Sequence, residues 1–193
     1  ISRMDMDKFQ VDGVCGKPSE KYISNKIYDL SEFKSIGFFE IILSLSKYLK
    51  MIKNLKNYII KNDYDLILTI DSPEFNYNLV SQLRKSNYKN KIIHIVAPTV
   101  WAWRSYRAKK FANIFDEIFL LFNFEKKYFN FQNLKKTFIG HPIFHIKKRK
   151  IKANYNYIAF LPGSRKNEVL KLLKYFNHIE EYINKNNLNF KIF

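Results

Sequence analysis

Six short apolar runs, at Phe9 to Val14, Leu66 to Ile70, Ile92 to Val96, Glu117 to Phe122, Thr137 to Ile139 and Tyr157 to Leu161, alternate with stretches of helical periodicity. The alternation constrains the fold more than any other feature. A strand, a helix and a further strand close most readily as a parallel crossover, and repeated crossovers build a doubly wound α/β architecture. The expected fold is therefore a Rossmann-like parallel sheet with helices on both faces. From Ile41, the residues Ile41, Leu45, Tyr48, Leu49, Ile52, Leu55 and Ile59 recur at helical spacing, while Lys47, Lys50, Asn54, Asn57 and Lys61 share the opposite face. Glu74 to Asn87, Arg104 to Phe115 and Asn167 to Asn186 read as further helices, the last with Val169, Leu172, Leu173, Phe176, Ile179 and Ile183 as its buried stripe. The basic, glycine-free stretch 146–156, with Lys147-Lys148-Arg149-Lys150, reads as a linker. It separates a first domain, residues 1–145, from the start of a second, residues 157–193.

Charge narrows the partners without choosing among them. Thirty-four Lys and Arg against 17 Asp and Glu give a net charge of +17, which favours nucleic acid, phosphorylated substrates or an anionic membrane surface. The lysines are scattered and form no dense tract, so a lysine-rich background weighs above a dedicated nucleic-acid function. The single Cys15 excludes an internal disulfide and a multi-cysteine metal site, and suits a reducing compartment. His94, His141, His145 and His178 show no metal-ligand spacing, so neither metal nor cofactor is expected. No uninterrupted apolar run reaches the ~18 residues of a membrane span. The chain begins at Ile1 without a Met and closes inside the apolar run Phe190-Lys191-Ile192-Phe193, so both ends read as cuts.

Four segments carry candidate chemistry. Ala97-Pro98-Thr99-Val100-Trp101-Ala102-Trp103-Arg104 follows the run Ile92 to Val96 and holds both tryptophans, placing stacking surface and a guanidinium where open α/β sheets bind ligands. In Ile70-Asp71-Ser72-Pro73-Glu74-Phe75-Asn76, a strand runs into Asp71, whose carboxylate could act as general base on a sugar hydroxyl or orient it. Spacing alone favours the plainer reading, in which Asp71 or Ser72 caps a helix that has Pro73 at its first position and Glu74 in its first turn. Asn76 says nothing by itself. Leu161-Pro162-Gly163-Ser164-Arg165, between a strand and an amphipathic helix, has the form of an anion site: Gly163 admits a phosphate to the backbone amides and Arg165 adds a fork. Glu168 would complete a capping box with Ser164 or orient a ligand hydroxyl. In Phe138-Ile139-Gly140-His141-Pro142, His141 would stand at the mouth of an interdomain cleft, where a hydrogen-bonding role outweighs a catalytic one.

Taken in order, these segments, together with Phe124-Glu125-Lys126 and Glu168-Val169, resemble the lipid-A-disaccharide synthases. The resemblance is collinear from about Asp12-Gly13-Val14 and Ser35 to Glu40 nearly to the chain's end. It covers most of this chain and about half of the family's length. The family's glycine-rich N-terminal loop and most of its second domain have no counterpart here. What the resemblance implies is an inverting, metal-independent glycosyltransferase of GT-B architecture, two Rossmann-like domains facing across a cleft. It would join a UDP-2,3-diacylglucosamine donor to a 2,3-diacylglucosamine 1-phosphate acceptor, forming the lipid A disaccharide and releasing UDP, and this chain alone would be inactive. Asp71 matches the first-domain aspartate as base or hydroxyl-orienting group, Arg165 with the amides around Gly163 and Ser164 would meet the departing diphosphate, and Glu168 would touch the donor. Trp101, Trp103 and Arg104 would line the acceptor side, Arg104 toward a phosphate, with one tryptophan open to a core role.

This substrate class implies a Gram-negative bacterial enzyme in the cytoplasm, peripheral on the inner face of the inner membrane. Phe38, Phe39, Ile41, Ile42, Leu43 and Leu45, followed by Lys47, Lys50, Lys53 and Lys56, read equally as a membrane-surface element and as an ordinary core helix. Two other functions stay open, a related GT-B enzyme on another UDP-sugar and, more distantly, a basic nucleic-acid-binding protein. The aromatic residues fall mostly inside strand and helix patterns. That argues for core and against nucleic acid as a partner.

Overall fold

The computed structural model describes residues 8–33, 41–146, 157–163, 166–187 and 189–192. The chain divides into two compact units, Ile1–His145 and Ile146–Phe193. The first unit opens with the parallel pair β1 (Asp12–Cys15) and β2 (Asn25–Asp29), joined through the short helix α1 (Lys17–Glu20). After a 3-10 turn at Leu30–Phe33 come α2 (Ile41–Asn62), β3 (Leu66–Ile70), α3 (Pro73–Lys85), β4 (Lys91–Ile95), α4 (Tyr106–Ala112), β5 (Glu117–Leu120) and β6 (Lys135–Phe138). Strands β3 to β6 form one sheet in sequence order, and every neighbouring pair is parallel. The α/β alternation of the sequence is thus realised as parallel crossovers.

The core follows from which faces are apolar. Ile52, Leu55 and Ile59 of α2, Leu79, Val80 and Leu83 of α3 and Phe111 of α4 pack with Ile92, Ile118, Leu120 and Phe129. Each such side chain contributes roughly 1.5–3 kcal/mol through burial. On the edge strand β3 the alternation is strict: Thr69 is buried, whereas Leu66, Leu68 and Ile70 are exposed on the other face. Helix α3 starts on Pro73, whose fixed φ and missing N–H suit a first helical position, and carries Arg84 and Lys85 in its last turn, where cations favour the helix dipole.

His94 lies at the centre of the sheet, fully buried. Its Nδ1 is 2.8 Å from the Thr69 hydroxyl, and that hydroxyl donates to the Ile93 carbonyl at 3.3 Å. Among the described residues, Nε2 has no hydrogen-bond partner. The rings of Phe111 and Phe115 flank the imidazole, with centroids 5.2 and 5.0 Å away. Burial pushes its pKa down to about 4.

Several expectations are corrected. The first strand begins at Asp12 rather than Phe9, and β2 was not foreseen. Leu45 and Leu49 of the expected α2 stripe are exposed, so burial starts one turn later, at Met51 and Ile52. The second unit pairs β7 (Tyr157–Phe160) in parallel with β8 (Asn189–Ile192). The single helix expected over Asn167 to Asn186 is instead α5 (Lys166–Leu173) and α6 (Phe176–Lys185). The Tyr175 N–H donates to the Leu172 carbonyl, a tightened last turn that breaks the helix and rotates its face. Consequently Leu172 and Leu173 are exposed, and only Ile183 of the predicted stripe is buried. Residues 147–156 of the expected linker lie outside the described residues, as do Phe38 and Phe39.

His94 makes stability depend on pH. Unfolded chains take up this proton near pH 6.5 and the folded chain only near 4, so between these values the unfolded state holds more protons. Its contribution is complete above pH 6.5 and is lost as pH falls to 4, an expected loss of about 3 kcal/mol. Urea unfolding at a series of pH values should show this slope in the parent chain and its absence in His94→Gln. Parallel profiles would mean that His94 is not buried in its neutral form.

Candidate functional site

The carboxyl edge of the four-stranded sheet concentrates backbone strain. Asp71 (φ 51°), Ser72 (φ 42°), Val96 (φ 73°) and Arg104 (φ 55°) all occupy left-handed conformations without being glycine, and Val96 is β-branched, the least tolerant type. Such strain persists only where neighbouring groups hold it. Here the ladder does so. The N–H of Asp71 donates to Ile95 at 2.9 Å, that of Val96 to Phe119 at 3.1 Å and that of Ile139 to Leu120 at 3.0 Å, so each loop leaves from a clamped residue.

Asp71 is exposed, and no described side chain engages its carboxylate. The capping reading does not hold: α3 has no side-chain cap bond at Ser72, because the left-handed turn at residues 71 and 72 carries both side chains away from the helix amides. The residue that organises the turn is Asn76. It is buried, and its Nδ2 donates to the Asp71 carbonyl at 2.6 Å. Sequence reasoning missed it, since an Asn in a helix's first turn carries no distinguishing signal.

Trp101 and Trp103 are 43% and 58% exposed, so neither is a core residue. Arg104, expected inside a helix, precedes it in left-handed backbone, and its guanidinium lies 4.1 Å above the Trp103 ring. Glu74, in the first turn of α3, pairs with Arg107 and stands 3.8 Å from Arg104. That carboxylate ties the loop after β4 to the loop after β3.

The loops after β5 and β6 join through aromatic contacts. Trp101 meets Phe124 edge-on at 5.4 Å, Phe124 stacks on Phe122 at 5.6 Å, and Phe122 stacks on His141 at 5.7 Å. Phe122, Phe124, Phe138 and Phe144 are exposed, contrary to the expectation that the aromatics are core. Their loop is set by Glu125, a buried carboxylate that accepts from the N–H groups of Leu121 at 3.0 Å and Phe122 at 2.9 Å. His141 Nδ1 accepts from the Ile143 N–H at 3.2 Å, which leaves the ring proton on Nε2. Gly140 (φ 79°) supplies the turn just before it.

The second unit holds the remaining candidates. Gly163 has φ 101°, and a Cβ there would stand 3.1 Å from Glu168 Oε2. The left-handed conformation requires glycine, and a Cβ would push the Glu168 side chain aside by a few tenths of an ångström. Glu168, in the first turn of α5, folds its carboxylate back against the loop. Ser164 and Arg165 lie outside the described residues. The structure thus brings Asp71, Trp101, Trp103, Arg104 and His141 to one edge of one sheet, and Gly163 and Glu168 to one strand-to-helix turn of the other unit.

A sequence model of the lipid-A-disaccharide synthetases matches residues 2–193. The lipid-A-disaccharide synthase of Rickettsia conorii is 38% identical over 203 aligned positions, covering 100% of this chain and 46% of the relative. That of Rickettsia prowazekii is 37% identical over 191, covering 93% and 50%. The chain spans about half the length of these curated relatives.

If Asn76 holds the Asp71 turn, Asn76→Asp should lower stability by about 1–3 kcal/mol, because it replaces the donor with a buried carboxylate oxygen that faces the Asp71 carbonyl. Denaturant unfolding measures this. An unchanged midpoint would show that the bond carries no weight.

Proposed function

We infer the function from one premise: the chain belongs to the lipid-A-disaccharide synthetase family. The protein that carries it condenses a UDP-2,3-diacylglucosamine donor with a 2,3-diacylglucosamine 1-phosphate acceptor, giving the lipid A disaccharide 1-phosphate and UDP. The observation that carries this reading is the exposed Asp71 carboxylate, engaged by no side chain among the described residues and fixed by its main chain beside a loop that presents two exposed tryptophans and Arg104.

The acceptor's 6-hydroxyl attacks the donor's anomeric carbon, the bond from that carbon to the diphosphate oxygen breaks, and the configuration inverts. Asp71 takes the hydroxyl proton or orients the hydroxyl for attack. Arg165, with the amides around Gly163 and Ser164, neutralises the charge that develops on the departing diphosphate. Glu168 serves the donor. Trp101 and Trp103 give the acceptor sugar stacking surface, Arg104 meets its phosphate and His141 offers Nε2–H to a hydroxyl. The acyl chains of both substrates call for work at a bilayer, and a net charge of +17 suits an anionic surface on the inner face of the inner membrane. Among the described residues, no helix is long and apolar enough to cross a membrane.

The test uses a protein carrying this chain with the family's remaining length. Asp71→Asn should lower kcat about 10²- to 10⁴-fold with little change in acceptor KM, and Arg165→Ala should lower turnover of the acylated donor. Wild-type turnover in either variant would remove the role assigned to that residue.

A further inference from the structure

Two guanidiniums converge on a single carboxylate oxygen at the carboxyl edge of the sheet, and they are held very unequally. Arg107 is only 13% exposed and donates Nη2 directly to Glu74 Oε1. Arg104 is 45% exposed and reaches the same oxygen only at 3.8 Å, too far for a hydrogen bond. The rest of its surroundings suit an anion: its backbone is left-handed at φ 55°, and its guanidinium lies 4.1 Å from the Trp103 ring centroid, a cation supported on an aromatic ring while still half exposed. Glu74 is itself 64% exposed, so the carboxylate sits in solvent, where a stronger oxyanion could take its place.

We propose that Glu74, Arg104 and Arg107 form a latched phosphate-monoester site, in which Glu74 is the resident counter-ion and a sugar phosphate displaces it from Arg104. A phosphate monoester carries more charge than a carboxylate and accepts the planar fork of an arginine in two parallel bonds. It therefore outcompetes the weak contact at Arg104 while Arg107 keeps Glu74 anchored to α3. The exchange involves no covalent step. Arg104 lets go of one anion for another, and the Trp103 ring beneath it changes its electrostatic surroundings. The proposal deepens the acceptor reading and rests on it only for the choice of sugar.

Trp101 and Trp103 are the chain's only tryptophans, so tryptophan fluorescence, excited at wavelengths where tyrosine does not absorb, reports on this loop alone. Titrating the 193-residue chain with glucosamine 1-phosphate should give a saturable change that glucosamine does not produce. Inorganic phosphate acting at the same concentration would assign recognition to the phosphate group; tighter binding of glucosamine 1-phosphate would add a contact to the sugar. Glu74→Gln removes the competing anion and should tighten glucosamine 1-phosphate binding roughly two- to fivefold, the range expected for an exposed ion pair. Glu74→Asp, whose shorter carboxylate withdraws from Arg104, should tighten it in the same direction. Arg104→Gln should abolish the saturable change. A merely structural Glu74 predicts the opposite sign, weaker binding in Glu74→Gln, and that result, with circular dichroism showing both Glu74 variants folded, overturns the proposal. So does a response that survives Arg104→Gln, which is diffuse attraction to a basic chain. Absent phosphate binding alongside Asp71-dependent transfer by the longer protein discards the latch and keeps the family reading. Phosphate binding without transfer keeps the latch and discards the role proposed for Asp71.

Discussion

Parallel pairing of β3, β4, β5 and β6 is the constraint from which the rest of this structure follows. In an antiparallel sheet, successive strand ends point to opposite edges and their loops are split between them. A parallel ladder sends every carboxyl end to the same edge, so the loops holding Asp71, Trp101 to Arg104, Phe122 to Glu125 and His141 meet without any long excursion of the chain. The ladder also runs one residue beyond β3, β4 and β6, through the N–H groups of Asp71, Val96 and Ile139. A loop that leaves from a clamped residue inherits the stiffness of the sheet.

The two edges of the sheet differ in how their polar groups are satisfied. At the amino edge, Glu117 is buried and takes the Thr137 hydroxyl at 2.7 Å with Lys135 and Lys91 at 3.1 and 3.2 Å. Burial would raise its pKa, but these partners outweigh that and hold the carboxyl below its usual range. Arg84 donates to the carbonyls of Ile114, Tyr88 and Asn90 and to the Asp116 carboxylate. Asp12 is met by Tyr58, Tyr64 and Asn25. These groups spend their bonding capacity on the fold. The carboxyl edge instead keeps a carboxylate that no described side chain engages, a half-engaged guanidinium and a row of exposed rings, and functional chemistry is expected on the side whose groups are unspent.

The elements legible in the sequence are those whose signal is local. Strand β3 was read with its observed limits because Leu66-Ile-Leu-Thr-Ile is dense in strand formers and bounded by Asp65 and Asp71, and α3 was placed within two residues because Pro73 marks its start. Strand β2 escaped because Asn-Lys-Ile-Tyr-Asp exists as a strand only through its pairing with β1. The break between α5 and α6 has no glycine or proline to announce it. At the carboxyl edge, the placement of Asp71 and of the Trp-Ala-Trp-Arg loop after strands was legible from residue types. Asn76, Glu125 and the pairing of Glu74 with Arg107 were not, because each works on backbone or charge that only the folded chain brings near. The exposed rings were misjudged for a related reason. Periodicity shows that a side chain lies on a face, but not whether anything covers it.

The means by which Asp71 is held bears on what it can do. A catalytic carboxylate needs a fixed position, and the direct way to fix one is to hydrogen-bond its oxygens, as the loop after β5 does for Glu125 and the neighbouring strand does for Glu117. That solution uses the lone pairs a base must offer. Asp71 is fixed through its main chain: its N–H is bound to Ile95, its carbonyl to the buried Asn76, and its left-handed φ is enforced between them. The backbone strain, on the order of 1–3 kcal/mol per residue, is the cost of positioning a side chain without touching it. A capped helix start would have avoided that cost and occupied the carboxylate. The departure of residues 71 and 72 from the expected cap is therefore the change that leaves this side chain exposed at the carboxyl edge of the sheet.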